Sequence, residues 1–238
     1  MPLTFAHPAA VLPLMRGPLV PLALVAGALA PDVPYFLRAL RIPVSAQSWW
    51  EPFVNATTTH SWLGALTAAA PLAVVLYLAF AFCERPARWA LPATGPVARR
   101  ARGPLWLVWV VVSLVLGLLT HVAWDMLTES NRLHQHLSTA VGLVVLVVVG
   151  WRQRGRWLTS SDPARRTRFL RVMAAFIGAV AVGVVLVTVV RHEAGDGAER
   201  LLSSAALGAG LGAAVAAVGL TVAWWVVRPG EDSGSTPG

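Results

Sequence analysis

Long apolar runs separated by short polar segments recur along this chain. Five of them are long enough, or nearly so, to cross a bilayer as helices, which takes about 20 residues at a rise of about 1.5 Å each. They cover residues 62–82, 105–124, 137–151, 169–190 and 205–227. The third run is short, and we expect its helix to extend back toward Arg132. The pattern predicts an all-α fold, a polytopic bundle of five transmembrane helices.

A sixth apolar region, residues 8–31, is interrupted by Arg16-Gly17-Pro18 and by Pro21. Two half-length helices meeting at this break predict an N-terminal re-entrant or broken helical hairpin, which a membrane tolerates only where other helices shield it. A cleaved signal peptide is the alternative, because Ala28-Leu29-Ala30 resembles a cleavage site. Against that alternative, no basic segment precedes the first apolar stretch, and Pro31 would directly follow the cut.

The composition agrees with a membrane protein, because hydrophobic residues make up 56% of the chain and charged residues only 13%. Soluble domains carry about 25% charged residues. We therefore interpret residues 1–230 as a single integral membrane domain and the Gly/Ser/Pro-containing residues 231–238 as a disordered tail. The net charge of +8 does not indicate nucleic-acid binding, because the arginines lie in short loops between apolar runs.

Arginine-rich loops predict the orientation of the chain in the inner membrane. Residues 86–103 and 152–168 are rich in arginine, and positively charged loops tend to stay in the cytoplasm. Residues 191–204 carry mixed charge and suit the outside. Following the runs in order, we expect the C-terminus to be cytoplasmic.

Histidines and carboxylates gather beside the ends of the apolar runs, on the side predicted to be non-cytoplasmic. The set comprises His7, Asp32, His60, His121, Asp125, His134 and His136. Imidazole and carboxylate are suitable ligands for zinc and other first-row divalent metals. Ionisable groups are costly at membrane depth, so such a set favours a functional site. The sequence predicts a site for zinc or another divalent first-row metal.

Several members of this set have structural alternatives. His121 and Asp125 share a helix face, and such a pair can simply end a membrane helix. Asp32 can be a turn former. His134 and His136 are two residues apart, so only one of them should face the others. Glu129, one turn beyond Asp125, is a further ligand, a general base or a solvated residue.

Four motifs make the chain resemble a family of bacterial polytopic membrane proteins of unknown function. They lie at residues 1–10, at Ala30-Pro31-Asp32, at His60-Ser61-Trp62-Leu63-Gly64 and at His121-Val122-Ala123-Trp124-Asp125, and the resemblance covers roughly residues 1–150. Gln135-His136-Leu137-Ser138-Thr139 resembles the motif that begins the family's next span, which selects His136 over His134. The family often has histidine where this chain has Glu129.

The order of these residues is also distantly similar to that in inner-membrane metal-dependent hydrolases and in zinc-dependent phospholipase C. This resemblance implies six metal ligands: His7, Asp32, His60, His121, Asp125 and His136. It implies a metal-dependent hydrolase at the non-cytoplasmic face that acts on membrane lipid or another phosphoester, with Asp125 or Glu129 as the general base.

Two alternatives to this enzyme are left open by the sequence. In one, a non-catalytic membrane protein uses the histidines and carboxylates for a structural metal or for protons. In the other, the protein is a transporter, although the C-terminal runs carry almost no polar residue at mid-depth.

The orientation can be tested by labelling single cysteines in a Cys83→Ala background. We expect Arg100→Cys and Gly155→Cys to resist a membrane-impermeant maleimide in intact cells, since positive loops are retained inside. Ala194→Cys, in the mixed-charge segment, should be labelled and is the positive control. Strong labelling at position 100 or 155 would reverse the orientation.

Overall fold

The computed structural model describes residues 4–39, 48–92, 103–128, 131–157, 161–191 and 197–227. Within these ranges the chain forms helices and turns and contains no strand. The helices are α1 (Pro8–Val11), α2 (Pro21–Leu29), α3 (Val33–Ala39), α4 (Glu51–Val54), α5 (Ala56–Thr59), α6 (Trp62–Gly64), α7 (Ala70–Ala90), α8 (Trp106–Thr128), α9 (Arg132–Trp157), α10 (Pro163–Val190) and α11 (Ala198–Val227). A π-helical turn, Ala65–Ala69, joins α6 to α7.

Five helical segments are long and apolar enough to cross a membrane, as the apolar runs predict. They are Trp62–Ala90, Trp106–Thr128, Arg132–Gln153, Pro163–Val190 and Arg200–Val227. The predicted extension of the third segment is also confirmed, because α9 begins at Arg132. The side of the membrane on which the C-terminus lies stays a prediction, and residues 228–238 lie outside the described ranges.

The contacts divide the chain into two compact units. One consists of residues 1–81 and 96–154, and the other of residues 82–95 and 155–238. The single membrane domain expected for residues 1–230 therefore stays a prediction.

The first unit contains the predicted N-terminal hairpin, broken at Arg16-Gly17-Pro18. Its first arm is α1 followed by a 3-10 turn, Leu12–Leu14, and its second arm is α2. Gly17 has a φ of 60°, a left-handed conformation that glycine adopts without steric cost. Pro21 occupies the first turn of α2, where its missing N–H costs no intrahelical hydrogen bond.

Close backbone contact holds α2 against α8. A Cβ atom at Gly27 would overlap the carbonyl oxygen of Leu114, and one at Gly117 would overlap that of Leu24. The hydroxyl of Ser113 accepts a hydrogen bond of 2.9 Å from the backbone N–H of Val20. The two ends of the hairpin's second arm are thereby fixed relative to α8.

The second unit is built on the packing of α10 against α11. The two helices approach closely at small residues, since a Cβ atom at Gly208 would lie 2.7 Å from Cα of Ala181. At Gly212 it would lie 3.1 Å from Cβ of Val180. The Thr188 hydroxyl donates a 3.0 Å hydrogen bond to that of Ser204 across the same pair of helices.

Substituting Gly117 tests whether the α2–α8 contact supports the fold. We expect Gly117→Ala to lower the thermal unfolding midpoint in detergent, because the added methyl group must push two backbones apart, at a cost of about 1–3 kcal/mol. Gly150→Ala in α9 is the matched control, since its Cβ would meet no atom within 4 Å. The control should unfold at the same temperature or slightly higher, since alanine favours a helix by about 1 kcal/mol over glycine. Equal midpoints for Gly117→Ala and the native protein would show that the contact contributes little.

Candidate metal centre

Five of the sequence-predicted ligands come together in the first unit. His7 directly precedes α1, Asp32 ends the 3-10 turn Ala30–Asp32, His60 follows α5, and His121 and Asp125 lie near the end of α8. We call these five residues the His/Asp cluster. His7, Asp32 and His121 are at most 2% exposed and Asp125 is 7% exposed. Four members of the cluster are therefore buried, and His60, with a side chain that is 12% exposed, is the member most open to solvent.

The imidazole Nε2 atoms of the three histidines all point at the two carboxylates. His60 Nε2 lies 3.1 Å from Asp32 Oδ1 and 3.4 Å from Asp125 Oδ2. The Nε2 atom of His121 lies 3.3 Å from Asp125 Oδ2 and 3.7 Å from Asp32 Oδ1. His7 Nε2 lies 3.6 Å from Asp125 Oδ1 and 3.8 Å from Asp32 Oδ2. Two three-residue groups, His7–His121–Asp125 and Asp32–His60–His121, each have ligand atoms within 4.8 Å of one another.

Backbone carbonyl groups fix the orientation of two of these rings. His121 Nδ1 is 2.7 Å from the carbonyl oxygen of Ala28, and His60 Nδ1 is 2.7 Å from that of Ala56. A carbonyl oxygen can only accept, so each Nδ1 carries a proton, and each ring in its neutral form presents a lone pair at Nε2. Metal-ligating histidines are held in this way, with the second nitrogen donating to a carbonyl or carboxylate.

The two inward nitrogens need a positive charge between them. His60 Nε2 and His121 Nε2 are 3.3 Å apart, and two lone pairs at that distance cannot hydrogen-bond to each other. His7 stacks on His121 with ring centroids 3.8 Å apart and brings a third imidazole to the same place. A metal ion or a bound proton satisfies this arrangement.

The two carboxylates of the cluster also need a positive charge nearby. Among the described residues, Asp32 Oδ2 and both carboxylate oxygens of Asp125 are buried without a hydrogen-bond partner. An ionised carboxylate removed from water is very costly unless it is paired or coordinates a metal. Unsatisfied buried polar atoms that converge on one point are the pattern expected around a bound ion or water.

The pKa values of His7 and Asp32, which flank the hairpin, are shifted toward the forms that bind metal. Burial lowers the pKa of His7 from 6.5 to about 4, because desolvation disfavours the imidazolium ion. Burial opposes ionisation of Asp32, but the close approach of His60 Nε2, at 3.1 Å, and of His121 outweighs it, so the pKa of Asp32 lies below its usual value. Neutral imidazole and ionised carboxylate are the forms that ligate metals.

The segment around His60 shows how the local sequence positions the ligands. The buried Thr59 hydroxyl donates a 2.8 Å hydrogen bond to the carbonyl oxygen of Pro31, which ties His60 to the turn that carries Asp32. The Ser61 hydroxyl caps α6 by accepting from the N–H of Gly64 at 3.0 Å. Gly64 has to be small, because a Cβ atom there would overlap the carbonyl oxygen of Thr58.

A family model described as a domain of unknown function, DUF4184, matches residues 1–134, which is more than half of the chain. The chain belongs to the DUF4184 family. This agrees with the expected family of unknown function, and the matched region contains the whole His/Asp cluster. No curated protein and no solved structure matches the chain.

His136 is not brought to the cluster. It is exposed, it belongs to neither candidate ligand group, and it lies just beyond the region matched by the DUF4184 model. The reason is the position of His136 along α9. This helix approaches the N-terminal segment at Gly142, where an added Cβ atom would lie 2.8 Å from that of Ala6, the neighbour of His7. His136 is six residues earlier, about 9 Å along the helix axis at a rise of 1.5 Å per residue. His134 is exposed as well, and Glu129 lies outside the described residues.

The sequence does not indicate all of the groups that position the His/Asp cluster. Thr59 has no ligand chemistry of its own, and only its place beside His60 in Thr59-His60-Ser61 could have drawn attention to it. The carbonyl groups of Ala28 and Ala56 belong to residues without a polar side chain, so nothing in the sequence indicates their role.

Removing single imidazoles tests which histidines hold the ion. We expect His121→Ala, purified and dialysed with a limiting amount of zinc, to retain at least about tenfold less metal than the native protein, because lost ligands cost at least as much as lost outer-shell partners. His134→Ala and His136→Ala are matched controls with exposed imidazoles, and both should retain native metal content. The measurement is metal per protein by inductively coupled plasma mass spectrometry. Full occupancy in His121→Ala would exclude the cluster, and a loss in His136→Ala would restore His136 as a ligand.

Proposed function

We propose that this protein is a metal-dependent hydrolase that acts on a phosphoester lipid at the non-cytoplasmic face of the inner membrane. The observation that carries the proposal is the convergence of three imidazole Nε2 atoms and two buried carboxylates on one point. Two of those imidazoles are held by backbone carbonyl groups in the tautomer that binds metal.

The composition of the cluster favours zinc. Histidine nitrogen combined with aspartate oxygen is a typical zinc ligand set, whereas magnesium and calcium prefer oxygen ligands alone. Two carboxylates supply two negative charges, which balance one divalent ion inside a buried site. Ligands drawn from His7, Asp32, His60, His121 and Asp125 would hold this ion, and with a position left open it would lower the pKa of bound water and polarise a phosphoryl oxygen.

Asp125 is the best candidate for the general base. Its side chain is 10% exposed, against 3% for Asp32, so it is the carboxylate more accessible to an entering water molecule. A carboxylate that accepts the proton of the attacking water contributes about 10²–10⁴-fold to the rate. Glu129 follows one turn later in sequence and is the second candidate for this role.

The position of the cluster along the spans supports a lipid substrate. His60 lies two residues before the segment that starts at Trp62, and Asp125 lies three residues before the end of α8 at Thr128. The cluster is therefore near the membrane surface, the depth at which phospholipid head groups lie.

A second candidate function is supported by the depth of burial. Structural metal sites are closed by protein ligands, whereas catalytic sites keep a coordination position open for water or substrate. A cluster with three residues at most 2% exposed resembles a closed site. In this case the ion, or a shared proton, would stabilise the contact between the hairpin and α8 without turnover.

Metal analysis combined with a hydrolysis assay separates the two functions. The protein is reconstituted in vesicles of phosphatidylethanolamine and phosphatidylglycerol, and ³¹P NMR follows the release of phosphorylated head groups into water. We expect hydrolysis that is abolished by a chelator, restored by zinc, and lowered at least about 100-fold in Asp125→Asn, which removes the proposed base and one of the proposed metal ligands. His134→Ala is the control and should retain native activity. Stoichiometric metal without hydrolysis of any head group would contradict the hydrolase and favour the structural role.

A further inference from the structure

An open cleft of about 470 Å³ lies between α3 and the segment formed by α4 and α5. Arg38 and Glu51 line it from opposite elements, together with Val54, Asn55 and Ala56. The volume is in the range of small-molecule sites in proteins. All of these residues belong to the first unit, which also contains the His/Asp cluster.

The cleft contains one positive and one negative side chain that do not pair with each other. Within the described ranges of the chain, neither Arg38 nor Glu51 takes part in an ion pair. Glu51 Oε1 instead accepts a 2.6 Å hydrogen bond from the side-chain amide of Asn55, which fixes the carboxylate in place. A cleft whose arginine and glutamate do not pair with each other complements a ligand that carries both a phosphate and an ammonium group.

One backbone segment connects the cleft with the His/Asp cluster. Ala56 lines the cleft, and its carbonyl oxygen accepts the 2.7 Å hydrogen bond from Nδ1 of His60. The wall of the cleft therefore contacts His60, a member of the His/Asp cluster that is proposed to act on the ligand.

Exposed aromatic residues place the cleft at the membrane surface. Trp49 is 78% exposed and makes edge contacts with Trp50 and Phe53, with ring centroids 5.6 Å and 6.4 Å apart. Tryptophan is enriched where the bilayer meets water, and Glu51 lies within this aromatic segment. The aromatic rings thus favour a lipid over a soluble phosphate compound as the ligand.

We propose that the cleft binds the head group of a zwitterionic phospholipid, with the phosphate on Arg38 and the ammonium group on Glu51. Arginine binds phosphate through two parallel N–H donors, and a carboxylate is the natural partner of an ammonium ion. An anionic lipid would meet the same arginine but would be repelled by Glu51. This assignment rests on the proposed function, because it names the class of lipid that the hydrolase would receive.

The test is a binding titration that requires neither metal nor turnover. Purified protein in dodecyl maltoside is titrated by calorimetry with dihexanoyl phosphatidylethanolamine, dihexanoyl phosphatidylglycerol or free O-phosphoethanolamine, before and after treatment with a chelator. We expect the ethanolamine lipid to bind at least about fivefold more tightly than the glycerol lipid, because only it has a group for Glu51. Binding should survive removal of metal.

Two variants separate the phosphate contact from the ammonium contact. Arg38→Gln should weaken both lipids about tenfold, since it removes a charged hydrogen-bond donor from the phosphate. Glu51→Gln keeps an acceptor for Asn55 and should weaken only the ethanolamine lipid. Arg132→Gln, at the exposed start of α9, is the matched control and should bind like the native protein.

Each failure has a distinct meaning. Equal affinity for the two lipids, or unchanged binding by Arg38→Gln and Glu51→Gln, would overturn the assignment while leaving a metal-dependent hydrolase possible. Equal affinity for free O-phosphoethanolamine would overturn the lipid as the ligand. The expected binding pattern in a protein that takes up no zinc when zinc is supplied would sustain the cleft and remove the proposed hydrolase.

Discussion

The hydrogen bond from His121 Nδ1 to the carbonyl oxygen of Ala28 joins the two halves of the candidate site. It forms only because α2 and α8 approach each other at Gly27 and Gly117, where a side chain on either glycine would overlap the opposite backbone. This contact places His7 and Asp32, at the two ends of the hairpin, against His121 and Asp125 of α8, which lie far later in the chain. A larger residue at either glycine would push α2 away from α8 and so separate the ligands, although neither glycine contributes a ligand itself.

Burial then imposes an electrostatic requirement on the cluster. Two carboxylates and the imidazoles of His7 and His121 are buried beside the partly exposed His60, and ionised groups in such surroundings are stable only when they are paired or bind an ion. Protons could meet this requirement one imidazole at a time, whereas a single divalent ion balances the charge of both carboxylates and can bind the Nε2 atoms of His60 and His121 in their neutral forms. The cluster is therefore better matched to a metal than to a set of independently protonated histidines.

Much of this arrangement could be predicted from the sequence, because hydrophobic length and loop charge are local properties. The spacing of His121 and Asp125 indicates a shared helix face, and the order of the apolar runs predicts that the polar residues lie on one side. His136 shows where such reasoning ends. Its spacing is equally suggestive, but its direction depends on how α9 packs near Ala6, which is a tertiary contact. The carbonyl groups that orient His60 and His121 could not be predicted from the sequence either, because which carbonyl meets each ring depends on how the chain folds.

The shared member of the two ligand groups limits how the cluster can bind metal. Both groups include His121, yet its Nδ1 is occupied by the hydrogen bond to Ala28, so His121 offers a single nitrogen with a single lone pair. Two ions cannot both bind that nitrogen. The two groups therefore cannot both be complete at once, and the Nε2 atom of His121 lies 3.7 Å from Asp32 Oδ1 and 3.3 Å from Asp125 Oδ2. An ion bound there would keep its contact with α8 whichever of the flanking ligands it used, which makes His121 the residue on which metal binding should depend most.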